Sequence, residues 1–279
     1  MKPTPRPLHA AAWTIAALTA ALAVKAQTPA PAAKPKTSAE AIAEYRAMLA
    51  EGNPAELFEA KGEALWKTPR GPKNATLERC DLGQGPGVVK GAWVQLPRWF
   101  PDTQKVQDLE SRLLTCMQQL QGFDPAEIAK TAFGRGEQAT LEAYAAWISA
   151  ESRGRKINLP QAHPEEQRMY ELGKRAFFFR GGPMDFSCAA CHDSDGKRIR
   201  MQDLPNLTKN PGDGIGFAAW PAYRVSSGEL WTMQRRLNDC YRQQRFPYPG
   251  FASDVTVALG VYMGVNAKGA ESIAPSIKR

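Results

Sequence analysis

The sequence predicts an all-α protein built from two helical halves. Three observations carry that reading. Val106, Leu109, Leu113, Cys116 and Leu120 recur at three- and four-residue spacing, the period of a helix with one buried face. Asp124-Pro125 and His163-Pro164 each put proline in a first helical turn, where its missing N–H is no loss. The run Cys188-Ala189-Ala190-Cys191-His192, in the second half only, has the spacing that attaches a c-type haem. Its two thiols form thioethers to the porphyrin, and the adjacent imidazole reaches the iron. Haem is therefore expected in the second half alone. The pair could instead be a redox dithiol or half a zinc site, but neither a thioredoxin-like setting nor a second ligand pair is evident.

Taken in order, the chain opens with Lys2 and Arg6, an Ala/Leu-rich run over residues 10–24, and a small-residue cleavage site at Val24-Lys25-Ala26. Residues 1–26 thus read as an export signal peptide, and the run is shorter than the ~20 residues a membrane span needs. Export suits thioether attachment, so the periplasm is the expected compartment, with no membrane span in the mature chain. Removing residues 1–26 takes away Lys2, Arg6 and Lys25 and no acid, and formal charge falls from +8 to +5. That excess is too small and too dispersed to argue for nucleic acid. An anionic substrate or acidic partner fits it better.

Residues 27–37 are rich in Pro, Ala, Thr and Lys and form a linker. Thr37 and Glu40 make a capping box for a helix through Leu49, with Gly52 as its stop. A short helix follows at Ala55 to Leu65. Thr68 to Phe100 is rich in Gly and Pro and reads as packed loop with a short strand. Asp102 is expected to cap a helix through Gln121 that turns Cys116 to the core. Asp124-Pro125 opens another, and Gln138 to Ile148 is amphipathic. Residues 38–155 are thereby a haem-free domain. The polar stretch Glu151 to Pro160 marks the boundary to a haem-binding domain, residues 156–279.

In that second domain Pro164 starts a helix over Glu165 to Phe179, and His163 reads as an exposed residue at its start in preference to a haem ligand. The Leu204-Pro205-Asn206-Leu207 turn is placed to offer a carbonyl to the second nitrogen of His192. A helix is expected from Gly228 to Gln244, and another from Ser253 to Met263 that packs on Glu165 to Phe179. Five cysteines need assignment. Cys188 and Cys191 go to haem; in an oxidising compartment an even pair should bridge, and Cys80 and Cys116 lie in the same half. Cys240 is left over.

Met233, Arg236 and Cys240 share one face of the Gly228–Gln244 helix. Either the Met233 thioether or the Cys240 thiolate could be the second axial ligand, and spacing does not separate them. Arg235, Arg236, Arg242 and Arg245 surround Cys240, a positive field expected to lower its thiol pKa and attract an anion. The same arginines could instead contact haem propionates.

Several stretches together resemble one family. Leu77-Glu78-Arg79-Cys80-Asp81-Leu82-Gly83-Gln84-Gly85-Pro86-Gly87 with Lys90-Gly91-Ala92, Leu109-Glu110-Ser111-Arg112-Leu113 with Cys116, the haem motif, and Arg236-Leu237-Asn238-Asp239-Cys240 with Arg245 are similar to the SoxA family, the A subunit of the SoxAX sulfur-oxidation cytochrome. The resemblance covers nearly the whole mature chain. It implies two cytochrome c-like helical domains, a haem-bearing SoxX partner, and L-cysteine S-thiosulfotransferase activity that couples thiosulfate oxidatively to a cysteine of the SoxYZ carrier protein. It also implies a distal cysteine ligand matching Cys240 and a substrate-binding arginine matching Arg236; Arg245 is a further candidate by position. Some members hold a second haem in the first domain. Here Cys80 is followed by Asp81 with no haem motif around it, so a single haem c is expected, with Cys80 and Cys116 free to bridge.

Besides a purely structural haem subunit, which predicts no effect of Cys240→Ala on turnover, two other readings remain at this level. One is an electron-transfer cytochrome with His192 and Met233 as ligands, which leaves Cys240 and its arginines unexplained. The other is a thiosulfate dehydrogenase, which would need no carrier protein.

Overall fold

The computed structural model describes residues 37, 40, 44, 45, 47, 48 and 51–279, apart from 200, 201, 210–214 and 279. The export signal and nearly all of the linker lie outside the described residues. Thr37 and Glu40 exchange the expected capping bonds: Thr37 N donates to Glu40 Oε2 at 2.7 Å, and Glu40 N donates to Thr37 Oγ1 at 3.3 Å.

Residues 42–279 pack as one unit. Among the described residues its helices are α1 (Ala55–Trp66), α2 (Leu109–Cys116), α3 (Pro125–Lys130), α4 (Gly136–Ala150), α5 (Pro164–Phe178), α6 (Cys188–His192), α7 (Ile215–Ala218), α8 (Met233–Gln243) and α9 (Asp254–Asn266). Short strands join them: β1 (Arg98–Phe100), β2 (Lys105–Gln107), β3 (Arg198–Ile199), β4 (Gln202–Asp203), β5 (Ala222–Arg224), β6 (Glu229–Trp231) and β7 (Ser276–Lys278). No helix among the described residues is long and apolar enough to cross a membrane.

Each half is held by one pair of crossing helices. In the first, a Cβ on Gly62 of α1 would lie 2.1 Å from the Ala143 carbonyl oxygen of α4; in the second, a Cβ on Gly173 of α5 would lie 2.0 Å from that of Ala258 in α9. Only glycine permits backbones to approach so closely. One turn beyond each glycine an aromatic ring seals the crossing. Trp66 meets Trp147 at 5.4 Å, and Phe177 meets Tyr262 at 5.1 Å. The α5–α9 packing is the one expected from the sequence, with Met169, Val257, Ala258 and Val261 buried together.

Several local expectations hold. Asp124 caps α3, accepting from Ala126 N at 2.8 Å. His163 caps α5 through Nδ1, although it is half-buried and not exposed as expected, its ring stacked on Trp99 at 4.1 Å. Cys80 and Cys116, both buried, form the disulfide.

Other expectations are corrected. Helices dominate, but the all-α reading missed the small sheets. Asp102 does not cap α2: the chain from Lys105 to Gln107 pairs with β1 instead, and the cap is Asp108, which accepts from Ser111 N at 2.9 Å. Asp102 pairs with Arg112 at 2.7 Å. Beyond Cys116 the helix loosens into a π-type turn over Met117–Gln121 that ends at Gly122. Gly228 to Trp231 is not helical either. Gly228, at φ 66°, turns the β5–β6 hairpin, and the Thr232 hydroxyl caps α8 by accepting from Arg235 N. The C-terminal β7 then adds in parallel to β5.

Buried polar bonds fasten α8 to the first half. Gln234 Nε2 donates to Asp108 Oδ2 at 2.6 Å, and Gln234 N donates to Glu110 Oε1 at 3.3 Å. Burial, reinforced by the Asp108 charge, pushes the Glu110 carboxyl up to about 8. The native state therefore binds more protons here than the unfolded chain between the ordinary carboxylate range and pH 8, and this contribution to stability falls as pH rises through that window. Glu110→Gln keeps the acceptor and removes the charge. Its melting temperature should rise above that of the parent at pH 8.5 with little difference at pH 5; an equal difference at both would contradict the burial argument.

Candidate active site

The haem motif is a single turn tied at both ends. Ser187 Oγ accepts from Ala190 N at 3.1 Å ahead of α6, and Lys197 Nζ donates to the carbonyls of Ala189 and Ala190 at 3.2 and 2.8 Å behind it. His192 Nδ1 lies 2.8 Å from the Pro205 carbonyl, the contact expected of that turn. A carbonyl can only accept, so Nδ1 carries the proton and Nε2 is left as the ligating nitrogen. Burial lowers the His192 pKa; the Pro205 bond opposes this, and the charges of Arg236 and Lys197 add to it. The imidazole is neutral, as a metal ligand must be.

Cys188, Cys191 and His192 line one open cavity, with Met233, Arg236 and Cys240 of α8 on the same lining. Phe177, Leu204, Leu237 and Leu259 supply apolar wall. Two thiols on one turn, an imidazole fixed with Nε2 available, and an apolar chamber fit a covalently attached haem. Met233 and Cys240 both reach this chamber, so location alone does not choose between them.

The structure narrows the arginine cluster. Arg236 donates to Asp239 Oδ2 at 2.9 Å and lies 5.9 Å over the Trp220 ring. Arg235 turns the other way, to Glu142 at 3.2 Å and to Glu229. Arg242 is exposed and pairs with Asp239 at 2.7 Å. Arg245, exposed at φ 56°, is not part of the cavity lining. Two cations that sequence reasoning missed do line it, Arg224 of β5 and Lys278 of β7. Nothing in the local sequence marks either one; the β5–β7 pairing brings them there.

The expectation of a depressed Cys240 pKa is corrected. Burial raises it, and this outweighs the lowering by Arg236 and Arg224. A thiolate at Cys240 would therefore need a further electrophile beside it.

With this geometry in place, similarity to known proteins is informative. The family described as SoxA/TsdA, cytochrome c domain matches residues 61–157, in the half that has no haem motif. A chain from Hydrogenophilus thermoluteolus named L-cysteine S-thiosulfotransferase subunit SoxA is 54% identical over 268 residues, 95% of this chain and 98% of that one. This chain belongs to the SoxA family. A second SoxA, from Hydrogenobacter thermophilus (strain DSM 6534 / IAM 12695 / TK-6), is 32% identical over 81% of this chain and 82% of its own length. The crystal structure of SoxXA from P. pantotrophus shares the fold, with a TM-score of 0.70 at 24% identity over 85% of this chain and 84% of that one. SoxA membership and the cytochrome c domain agree with haem c binding by this chain.

Proposed function

We propose that this chain is the catalytic cytochrome subunit of an L-cysteine S-thiosulfotransferase, joining thiosulfate to a cysteine of a SoxYZ carrier protein in the periplasm, with a SoxX cytochrome as its partner. The observation that carries the reading is the meeting of Cys240, Arg236 and the haem motif in one chamber. The 54% identical relative bears the corresponding name. Two cytochrome c-like halves, with haem only in the second, are supported by the repeated glycine-and-aromatic crossing of α1–α4 and α5–α9 and by the single haem motif.

Cys188 and Cys191 would hold one haem c through thioethers, with His192 and Cys240 as the iron ligands. Haem c, when bound, accepts electrons one at a time, which suits a reaction that releases two. The chain's own residues do the rest. Arg236 holds the sulfonate of thiosulfate by charge-assisted hydrogen bonds. The Cys240 thiolate forms an S–S bond to the sulfane sulfur, giving Cys–S–S–SO₃⁻ with loss of two electrons. The carrier thiolate then attacks that sulfane sulfur, takes the S–SO₃⁻ group and releases Cys240 as thiolate. Over the cycle the carrier thiol loses one proton and two electrons leave. Arg245, off the chamber lining, has no part in this assignment.

The test is mass spectrometry of the carrier after incubation with the SoxA–SoxX complex, thiosulfate and an electron acceptor. The expected product is a carrier cysteine bearing S–SO₃⁻, formed with two electrons per conjugate. Tetrathionate made without carrier would establish a thiosulfate dehydrogenase instead. Electron transfer with no sulfur product would establish a simple electron carrier instead.

A further inference from the structure

We infer that Arg224, with Lys278 beside it, forms a second cationic pole of the chamber and holds the sulfonate of thiosulfate together with Arg236. The inference rests on the thiosulfotransferase reading above. Arg224 and Lys278 are Cα partners in the parallel β5–β7 pairing, and both line the chamber with Arg236 and Cys240. The Arg224 guanidinium is fixed 5.1 Å over the Trp231 ring. Its Nε is buried with no hydrogen-bond partner among the described residues.

A buried donor without an acceptor is costly, and a planar guanidinium presents a fork suited to a multi-oxygen anion. Arg236 differs because Asp239 already takes one of its donors and part of its charge. Burial and the repulsion of Arg236 hold the Arg224 pKa below its ordinary value, while the negative charges of Asp239 and Cys240 act the other way. Arg224 therefore lies within electrostatic reach both of the other guanidinium and of the reactive sulfur, where an anion would relieve the repulsion.

The experiment uses the haem-loaded complex and two variants, Arg224→Gln and Arg224→Lys, with Arg236→Gln alongside. Thiosulfate and inorganic sulfate binding are measured by calorimetry, KM by the carrier assay, and haem integrity by visible spectrum and melting curve. Loss of a charge-assisted contact predicts that Arg224→Gln weakens thiosulfate binding and raises KM roughly 10- to 100-fold, with Arg224→Lys between it and the parent and the haem spectrum unchanged. Unchanged binding in Arg224→Gln, with binding lost in Arg236→Gln, would overturn the role of Arg224 and leave the transferase reading standing. An altered haem spectrum at constant KM would assign Arg224 to a haem propionate and also overturn it. If Arg224→Gln does not fold, an unchanged KM in Arg224→Lys, which keeps the charge but not the fork, would count against the proposal. Parent protein that makes no carrier conjugate would remove the underlying reading itself.

Discussion

Cys240→Ser is expected to lower transfer of thiosulfate to the carrier by at least ~10³-fold, since in the proposed mechanism this removes the group that forms the covalent intermediate and leaves only binding and positioning. Haem should remain attached, because Cys188 and Cys191 lie on a separate turn tied by Ser187 and Lys197. Fold should also persist, because α8 is held through Thr232, Gln234 and Arg235 at its other end. The check is conjugate formation on the carrier by mass spectrometry, with the covalent haem stain as control. Parent-level transfer in this variant would remove Cys240 from the chemistry.

The second large effect lies away from the reacting sulfur. Arg235→Met should destabilise the protein by about 3–5 kcal/mol at pH 8, the cost of leaving a buried charge without its partner. Glu142 is the partner, 3% exposed against 12% for Arg235. Burial already pushes its carboxyl up to about 7, with Arg235 pulling the other way. Arg235 is also stacked between Trp231 at 4.8 Å and Phe133 at 5.8 Å, so packing is lost with the charge. For a domain of this size the melting temperature should fall by roughly 10 °C. The fall should be smaller at pH 5.5, where Glu142 is protonated in the native state and the charge left behind is gone. Arg235→Met with Glu142→Leu should recover much of the loss, since an apolar pair fills the same space without a buried charge. Thermal melts of the single and double variants at both pH values check this. A loss that is the same at both pH values would mean that packing, not charge, holds α8.

This anchoring shows what a sequence can and cannot disclose. Contiguous signals were legible: the haem motif, the Pro-marked starts of α3 and α5, the Cys80–Cys116 bridge, and the Pro205 carbonyl aimed at His192. Each depends on residues close in the chain or on a small set of cysteines. Apart from the short strand expected before Phe100, the strands were not legible because two or three residues carry no period, and β5 finds β7 only through the folded chain. Arg224 and Lys278 were missed for that reason. Arg235 was read as part of the field around Cys240, but its side chain leaves the opposite side of α8 for Glu142, a partner supplied by the other half. The Cys240 thiol was misjudged because charge could be counted in the sequence and burial could not. Asp102 and Asp108 both suit a helix start; β1–β2 pairing decided between them.

The most direct test of the account is low-temperature EPR of the oxidised, haem-loaded complex beside its Cys240→Met variant. Ligation by His192 and Cys240 predicts a low-spin His/thiolate signal assigned to this subunit that the substitution abolishes. A His/Met-type signal present in the parent and unchanged in the variant would place Met233 on the iron, take Cys240 off it, and contradict the central claim.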